Sequence, residues 1–238
     1  MEKPFYITTA IDYVNAAPHL GHAYEKILAD VLARWHRLKG EDVFFLTGTD
    51  ENAQKNVQAA IVLKIPIKQF VDQNSKKFQE LCNKLNISND DFIRTTEERH
   101  IKVVKQIFKK ISSNNDIYKG KYEGNYCYGC EAFLTDKELV EGKCPEHNKK
   151  PKWLREDVYF FKLSKYQDKV LRLISKKDFI TPKNYQKEII SRVKLEGLKD
   201  LCVTRTNLDW GIKTPIDDKH VIYVWLDALI NYISALDY

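Results

Sequence analysis

The chain has 238 residues, 30% charged and 43% hydrophobic, with nine glycines and seven prolines. That is enough apolar side chain to fill one large core without disulfides, and it excludes a disordered, collagen-like or solenoid protein. A net charge of +6 tolerates an RNA partner without demanding one. No apolar run approaches the roughly 20 residues of a membrane helix. Asp12 also falls inside what would have to be a signal-peptide core, so a cytoplasmic protein without a membrane partner is expected.

Phe5 to Thr9 is short, aromatic and β-branched, which predicts a buried strand. Ile27, Leu28, Val31, Leu32, Trp35 and Leu38 then repeat at three- and four-residue intervals up to Gly40, which predicts a helix from about His22. Val43 to Thr47 reads as a second buried strand. Strand, helix and strand at this spacing form a parallel crossover unit, whose ligands bind beyond the carboxyl ends of the strands. Further helices are predicted from about Glu51 to Leu63, from Pro66 to Leu85 and from Glu97 to Ile111, with a third strand at Phe92 to Thr95.

The texture changes near Asn115. From Ile117 to Lys162 the chain is aromatic, rich in turns and cysteine-bearing, with short alternating stretches. Helices resume between Lys165 and Gly197, His220 to Trp225 reads as a fourth strand, and Leu226 to Leu236 is again helical. The expected organisation is a Rossmann-like, doubly wound parallel α/β fold at residues 1–114, an insertion at 115–219, and the start of a second half-fold at 220–238. With four candidate strands of the five or so such a sheet needs, the fold is expected to be incomplete on its C-terminal side.

The loop after the first strand contains Pro18-His19-Leu20-Gly21-His22 and leads into the first helix. A helix amino terminus suits phosphate, a glycine allows close approach of nucleotide to backbone, and imidazoles can donate to phosphate oxygens; alternatively the histidines simply cap the helix. Together with Phe5 to Thr9, Tyr13-Val14-Asn15, Phe45 to Glu51, Asp91 to Thr96 and Tyr223 to Tyr232, this loop makes the chain resemble the class I aminoacyl-tRNA synthetases. Among them it is similar to the methionyl-tRNA synthetase family over nearly its whole length.

The resemblance implies a ligase that joins methionine to tRNA(Met) in two steps with MgATP. It implies an ATP site of Asn15, His19, Gly21 and His22, the two histidines being catalytic. It also implies a methionine pocket of Ile11, Tyr13, Trp225, Ala228, Leu229 and Tyr232, with Asp50 pairing the substrate ammonium. By spacing alone, Trp225 and Tyr232 serve equally well as core residues of a strand and a helix.

Five cysteines is an odd number, and three gather between Cys127 and Cys144, leaving Cys82 and Cys202 as expected core thiols. Cys127, Cys130, Cys144 and His147 follow a C-x2-C, C-x2-H pattern that suits one tetrahedral zinc with no open position, a structural site. The alternative is three free thiols beside an unrelated histidine. The resemblance agrees with the metal, since the family's insertion commonly carries such a knuckle.

Three departures stand out. Asn52-Ala53 replaces the family's usual His-Gly, and Asp12 occupies a position usually held by proline or an aromatic. The lysine-bearing KMSKS signature is expected far downstream of Tyr238. The chain is therefore expected to be a truncation or half of a split enzyme, completed by a separate C-terminal chain that also binds the anticodon. The rival expectations are a non-catalytic, zinc-stabilised RNA-binding or scaffold fragment, and a synthetase of the same fold for valine, leucine, isoleucine or cysteine.

Overall fold

The computed structural model describes residues 4–130, 132–206 and 208–236. Strand β1 (Pro4–Tyr13) passes through helix α1 (Leu20–Leu38) to β2 (Asp42–Asp50), which lies parallel to it with Phe5 opposite Val43 and Tyr13 opposite Asp50. Helices α2 (Gln54–Leu63) and α3 (Ile67–Lys84) carry the chain to β3 (Asp91–Arg94), parallel to β2. The sheet order is β1-β2-β3. All three strands end on the same side, and the loops after β1 and β2 meet there, as a parallel crossover sheet requires.

Helix α1 forms where its periodicity predicts, but with its apolar stripe turned outward. Such a stripe normally faces the core. Here Tyr24, Ile27, Leu28, Val31, Leu32, Trp35 and Leu38 are 41–82% exposed. The buried face is Ala23, Lys26, Ala29, Asp30 and Ala33. Ala29 and Ala33 pack on Phe45, with Ile7, Val43 and Ile87 around them. Small residues let the helix lie close to the sheet, and the two buried charges are matched: Lys26 by Asp12, and Asp30 by Arg34 and Ser88.

After α4 (Glu98–Ser113) comes a second, antiparallel sheet. Strand β4 (Ile117–Cys127) pairs with β6 (Lys152–Phe161) from Ile117↔Phe161 to Tyr126↔Lys152, flanked by β5 (Ala132–Leu134) and β7 (Leu201–Cys202) in the order β5-β4-β6-β7. The short stretches expected here are two long strands. Gly120, Gly124 and the interleaved lysines blur the alternation, while cross-strand rings such as Tyr118 on Phe160 (5.5 Å) hold the ladder. Helices α5 (Gln167–Ile174) and α6 (Lys183–Glu196) follow.

The predicted fourth strand is corrected by the structure. Only Val221–Ile222 (β9) is extended, and it pairs antiparallel with β8 (Thr204–Arg205). Helix α7 (Val224–Ser234) has already begun at Trp225. The β-branched run is spent on tying two segments together: Ile222 N–H donates to Ile212 O (2.7 Å) and Tyr223 N–H to Val203 O (2.9 Å). Among the described residues the parallel sheet therefore has three strands. Val103, Val104 and Phe108 of α4 share a core with Val203, Ile212, Ile222 and Ile230, so α7 and the foot of the antiparallel sheet are packed as one body. Cys82 is buried as expected, and Cys202 is half-buried.

Candidate active site and metal centre

The loop after β1 is built around the start of α1. His19 Nδ1 accepts from Gly21 N–H (3.0 Å), and His22 Nδ1 accepts from His19 N–H (3.1 Å), a reciprocal cap made by two imidazoles. Their rings stack with centroids 3.8 Å apart. Because both Nδ1 atoms accept, the neutral rings carry their protons on Nε2, leaving two N–H donors beside a helix amino terminus. A Cβ on Gly21 would lie 2.9 Å from His19 Cε1, so the ring can fold over the backbone only because residue 21 is glycine.

Burial holds the His22 pKa below its usual value, and neighbouring His19 and Lys26 add to that against the pull of Asp12. Asp12, near the end of β1, is buried; it takes the fully buried Lys26 ammonium at 2.5 Å and lies 3.8 Å from His22 Nε2.

At the strand ends, Tyr13 faces Asp50 in register. Asp50 is buried; its carboxylate accepts from Asn52 N–H (3.3 Å) and its carbonyl from Asn56 Nδ2 (3.0 Å). Glu51 is fully buried and takes Arg94 through both Nε (2.6 Å) and Nη2 (2.9 Å), while its carbonyl accepts from Trp210 Nε1 (2.8 Å). Ala53 sits at φ −68°, ψ 142°, a conformation open to any residue, so glycine's extra freedom is not needed there.

Asn52 donates to Asp227 (2.7 Å), whose other oxygen meets His100 Nε2 (2.7 Å), and His100 Nδ1 meets Ser234 Oγ (2.7 Å). This buried chain links the β2 loop to α4 and α7. Sequence reasoning assigned no role to Arg94, His100, Asp227 or Ser234, whose partners lie far away in sequence; a charged or polar residue inside an otherwise apolar strand or helical period was the only available signal.

The residues expected to hold methionine are divided between two clefts. Ile11 and Tyr13 line one of about 400 Å³, together with Asn15, His19 and His22 of the expected ATP site. Trp225 and Leu229 line an apolar one of about 610 Å³ with Tyr122, Phe133, Leu201 and Val203 of the antiparallel sheet and its end. Tyr13 packs with Ala53, Tyr223 and Val224, which brings the start of α7 against the first loop. Ala228 and Tyr232 are half-buried on α7, and the Tyr232 carbonyl accepts from Tyr6 OH (2.7 Å).

At the far end of β4, Cys127, Cys130, Cys144 and His147 gather with their ligand atoms within 4.8 Å of one another. Cys130 Sγ is 3.4 Å from Cys144 Sγ and 3.3 Å from His147 Nδ1, and Cys144 Sγ is 3.7 Å from the same nitrogen. A tetrahedral ion with bonds of about 2.0–2.3 Å needs ligand separations of this size, so the donor set fits a metal. Gly129 is required for it: a Cβ there would meet His147 Cδ2 at 2.3 Å. Burial pushes the Cys144 thiol up, but hydrogen bonds from His147 and the other thiols outweigh that and bring it down to about 6; burial and the neighbouring thiols drive Cys130 up to about 12.

A parallel crossover sheet with a histidine-capped helix after its first strand and a long insertion is the arrangement of a class I tRNA synthetase. The family model described as "tRNA synthetases class I (M)" matches residues 5–152 and 146–238. The methionine–tRNA ligase of Rickettsia bellii is 53% identical over 239 residues, covering 100% of this chain and 47% of that protein. The enzyme of that name from Campylobacter jejuni is 51% identical, covering 98% and 38% respectively.

Mycobacterium tuberculosis methionyl-tRNA synthetase in complex with methionyl-adenylate superposes with a TM-score of 0.93 at 45% identity, over 98% of this chain and 46% of that one. Its free-state structure gives 0.81 at 42% identity, over 100% and 46%. The chain belongs to the methionyl family of class I tRNA synthetases, and it spans about half the length or less of these relatives. No helix among the described residues is long and apolar enough to cross a membrane.

Proposed function

We propose that this chain supplies the nucleotide half of a methionine–tRNA ligase. The observation that carries the reading is the pair of imidazole Nε2–H donors at the α1 amino terminus, beside the paired strand ends of Tyr13 and Asp50. His19 and His22 donate to the phosphates of MgATP, with Gly21 and Asn15 against the nucleotide. Asp50 takes the substrate ammonium. Ile11, Tyr13, Trp225, Ala228, Leu229 and Tyr232 enclose the thioether side chain, which requires Trp225 and Leu229 to close toward the first loop.

A methionine carboxylate oxygen attacks the α-phosphorus, the bond to the bridging oxygen breaks, and pyrophosphate leaves. A ribose hydroxyl at the end of tRNA(Met) then attacks the carbonyl carbon and AMP leaves. The residues position reactants and stabilise charge, so neither histidine needs to move a proton.

Residues 1–114 and 220–238 would then belong to the nucleotide fold and 115–219 to its insertion, which structural zinc closes at Cys127, Cys130, Cys144 and His147. Free thiols and this reaction support a cytoplasmic location. The outward apolar stripe of α1 supports a further half-fold packing there, from the same enzyme or a separate C-terminal chain. The test is methionine-dependent exchange of pyrophosphate into ATP, by the chain alone and mixed with a chain carrying the remaining half. Exchange is expected in the mixture, and valine, leucine, isoleucine or cysteine should not replace methionine; exchange in neither preparation overturns the reading.

A further inference from the structure

Asp12 sets an electrostatic problem for the site it borders. It lines the cleft of about 400 Å³ shared with His19 and His22, so a carboxylate faces the space that the phosphates of ATP would fill. A carboxylate and a triphosphate are like charges and repel in a half-enclosed site. One oxygen of Asp12, however, holds the Lys26 ammonium at 2.5 Å, and Lys26 is fully buried. An ammonium inside the protein is costly without a counter-charge, so the two residues account for each other. A proline or an aromatic ring, usual at position 12 in the family, would call for no cation at position 26.

The other oxygen of Asp12 lies 3.8 Å from His22 Nε2. That is too long for a hydrogen bond but well within the reach of its field, so the N–H is drawn to the cleft and stays free to donate. The remaining groups around this ring are few. The His19 ring stacks on it at 3.8 Å and Phe78 of α3 meets it edge-on at 5.1 Å. Glu25 of α1 is turned away, with Oε1 accepting from Ala10 N–H (2.8 Å) and Oε2 4.0 Å from Lys26 Nζ. Burial pushes the nearby Cys82 thiol of α3 up, so it adds no charge at neutral pH.

We propose that Asp12 and Lys26 are a positioning pair for His22: the carboxylate holds the Nε2–H toward the cleft, and the ammonium cancels the carboxylate so that a triphosphate can enter beside it. The inference deepens the proposed function and rests on it for the nucleotide. Both residues act through His22, and their value lies in being present together.

The test compares K26M, D12N and the double variant D12N/K26M in two measurements. The His22 ring protons are followed by NMR through a pH titration of the chain without ligand. MgATP binding is read by calorimetry in the mixture with the remaining half, at about pH 8, where an unpaired carboxylate is ionised. K26M leaves the carboxylate uncancelled, so the His22 midpoint should rise and MgATP should bind roughly tenfold more weakly. D12N leaves the ammonium, so the midpoint should fall and MgATP binding should hold or tighten. The double variant should bring both readings back toward the unaltered protein, and it keeps the test decisive if K26M fails to fold. A packing role would instead move both single variants the same way. Equal weakening of MgATP binding in K26M and D12N, a His22 midpoint that none of the variants moves, or a folded double variant that binds MgATP as poorly as K26M would each overturn the pair. Opposite midpoint shifts in the single variants, with no MgATP binding by the unaltered protein, would fail the ligase reading and leave the coupling of the pair to His22 standing.

Discussion

The parallel sheet and the antiparallel arm solve the same problem differently. Around β1–β3 the buried polar groups are many and mutually matched: Asp12 with Lys26, Glu51 with Arg94, Asn52 with Asp227 and His100. These networks lie at the strand ends, so the groups that hold the fold also shape the candidate site. In the arm, the buried Glu156–Arg205 pair (2.7 and 2.9 Å) and a ladder of rings, with Arg205 4.3 Å over Tyr126, support the strands, and four candidate metal-ligating side chains support the turns that begin at Cys127. One region is stabilised by distributed pairing, the other by two concentrated anchors.

The largest expected effect separates the two regions. Chelation or Cys144→Ser should raise amide exchange across 126–151 by at least about 100-fold, given that structural zinc is worth about 10 kcal/mol or more in small metal-folded domains. Exchange in β1–β3 should not change; uniform loosening would show the regions to be one cooperative unit. Arg205→Ala comes next, at about 3–5 kcal/mol in urea unfolding, because it removes the guanidinium that neutralises the buried Glu156 carboxylate.

Asp227→Ala, the corresponding cut in the network beside the parallel sheet, leaves Asn52 and His100 without a shared acceptor and should cost about 3 kcal/mol. A loss under about 1 kcal/mol would mean that the surrounding polar groups rearrange to cover for one another. The two faces of α1 provide a smaller test. Ala33→Leu should destabilise by about 1–3 kcal/mol through overpacking, while Leu28→Gln on the outward face should stay within about 0.5 kcal/mol.

Acid offers the mildest perturbation. The His22 pKa is depressed in the folded protein, so its contribution to stability is complete above the ordinary histidine value near 6.5 and is lost as pH falls through the lower folded value. His22→Gln should therefore flatten the stability profile below about pH 6.5. An unchanged acid limb would assign the pH dependence to other groups.

What the sequence revealed follows from distance along the chain. The candidate metal cluster was legible because its Cys and His pairs sit within a few residues of each other, and the first crossover was legible because helix and strand periods are local. The facing of α1 was not, since periodicity reports a stripe without saying which stripe meets the sheet, and Ala23, Ala29 and Ala33 form a second stripe at the same spacing. Trp225 was read at the end of a strand because Val221 to Val224 are β-formers, whereas contacts with Val203 and Ile212 end the strand at Ile222. The Asn52–Asp227–His100–Ser234 chain spans most of the sequence and leaves no local pattern.

The histidine cap on α1 changes how these two positions should be read across relatives. A helix start needs only a short acceptor side chain, and serine or asparagine at position 19 would provide one at least as well. In a lineage whose nucleotide site had fallen idle, selection for folding alone would let residue 19 drift to those residues without loss. Retention of the two imidazoles across a set of sequences would thus track the ligand, and their joint replacement by ordinary caps would mark members that keep the shape and have left the chemistry.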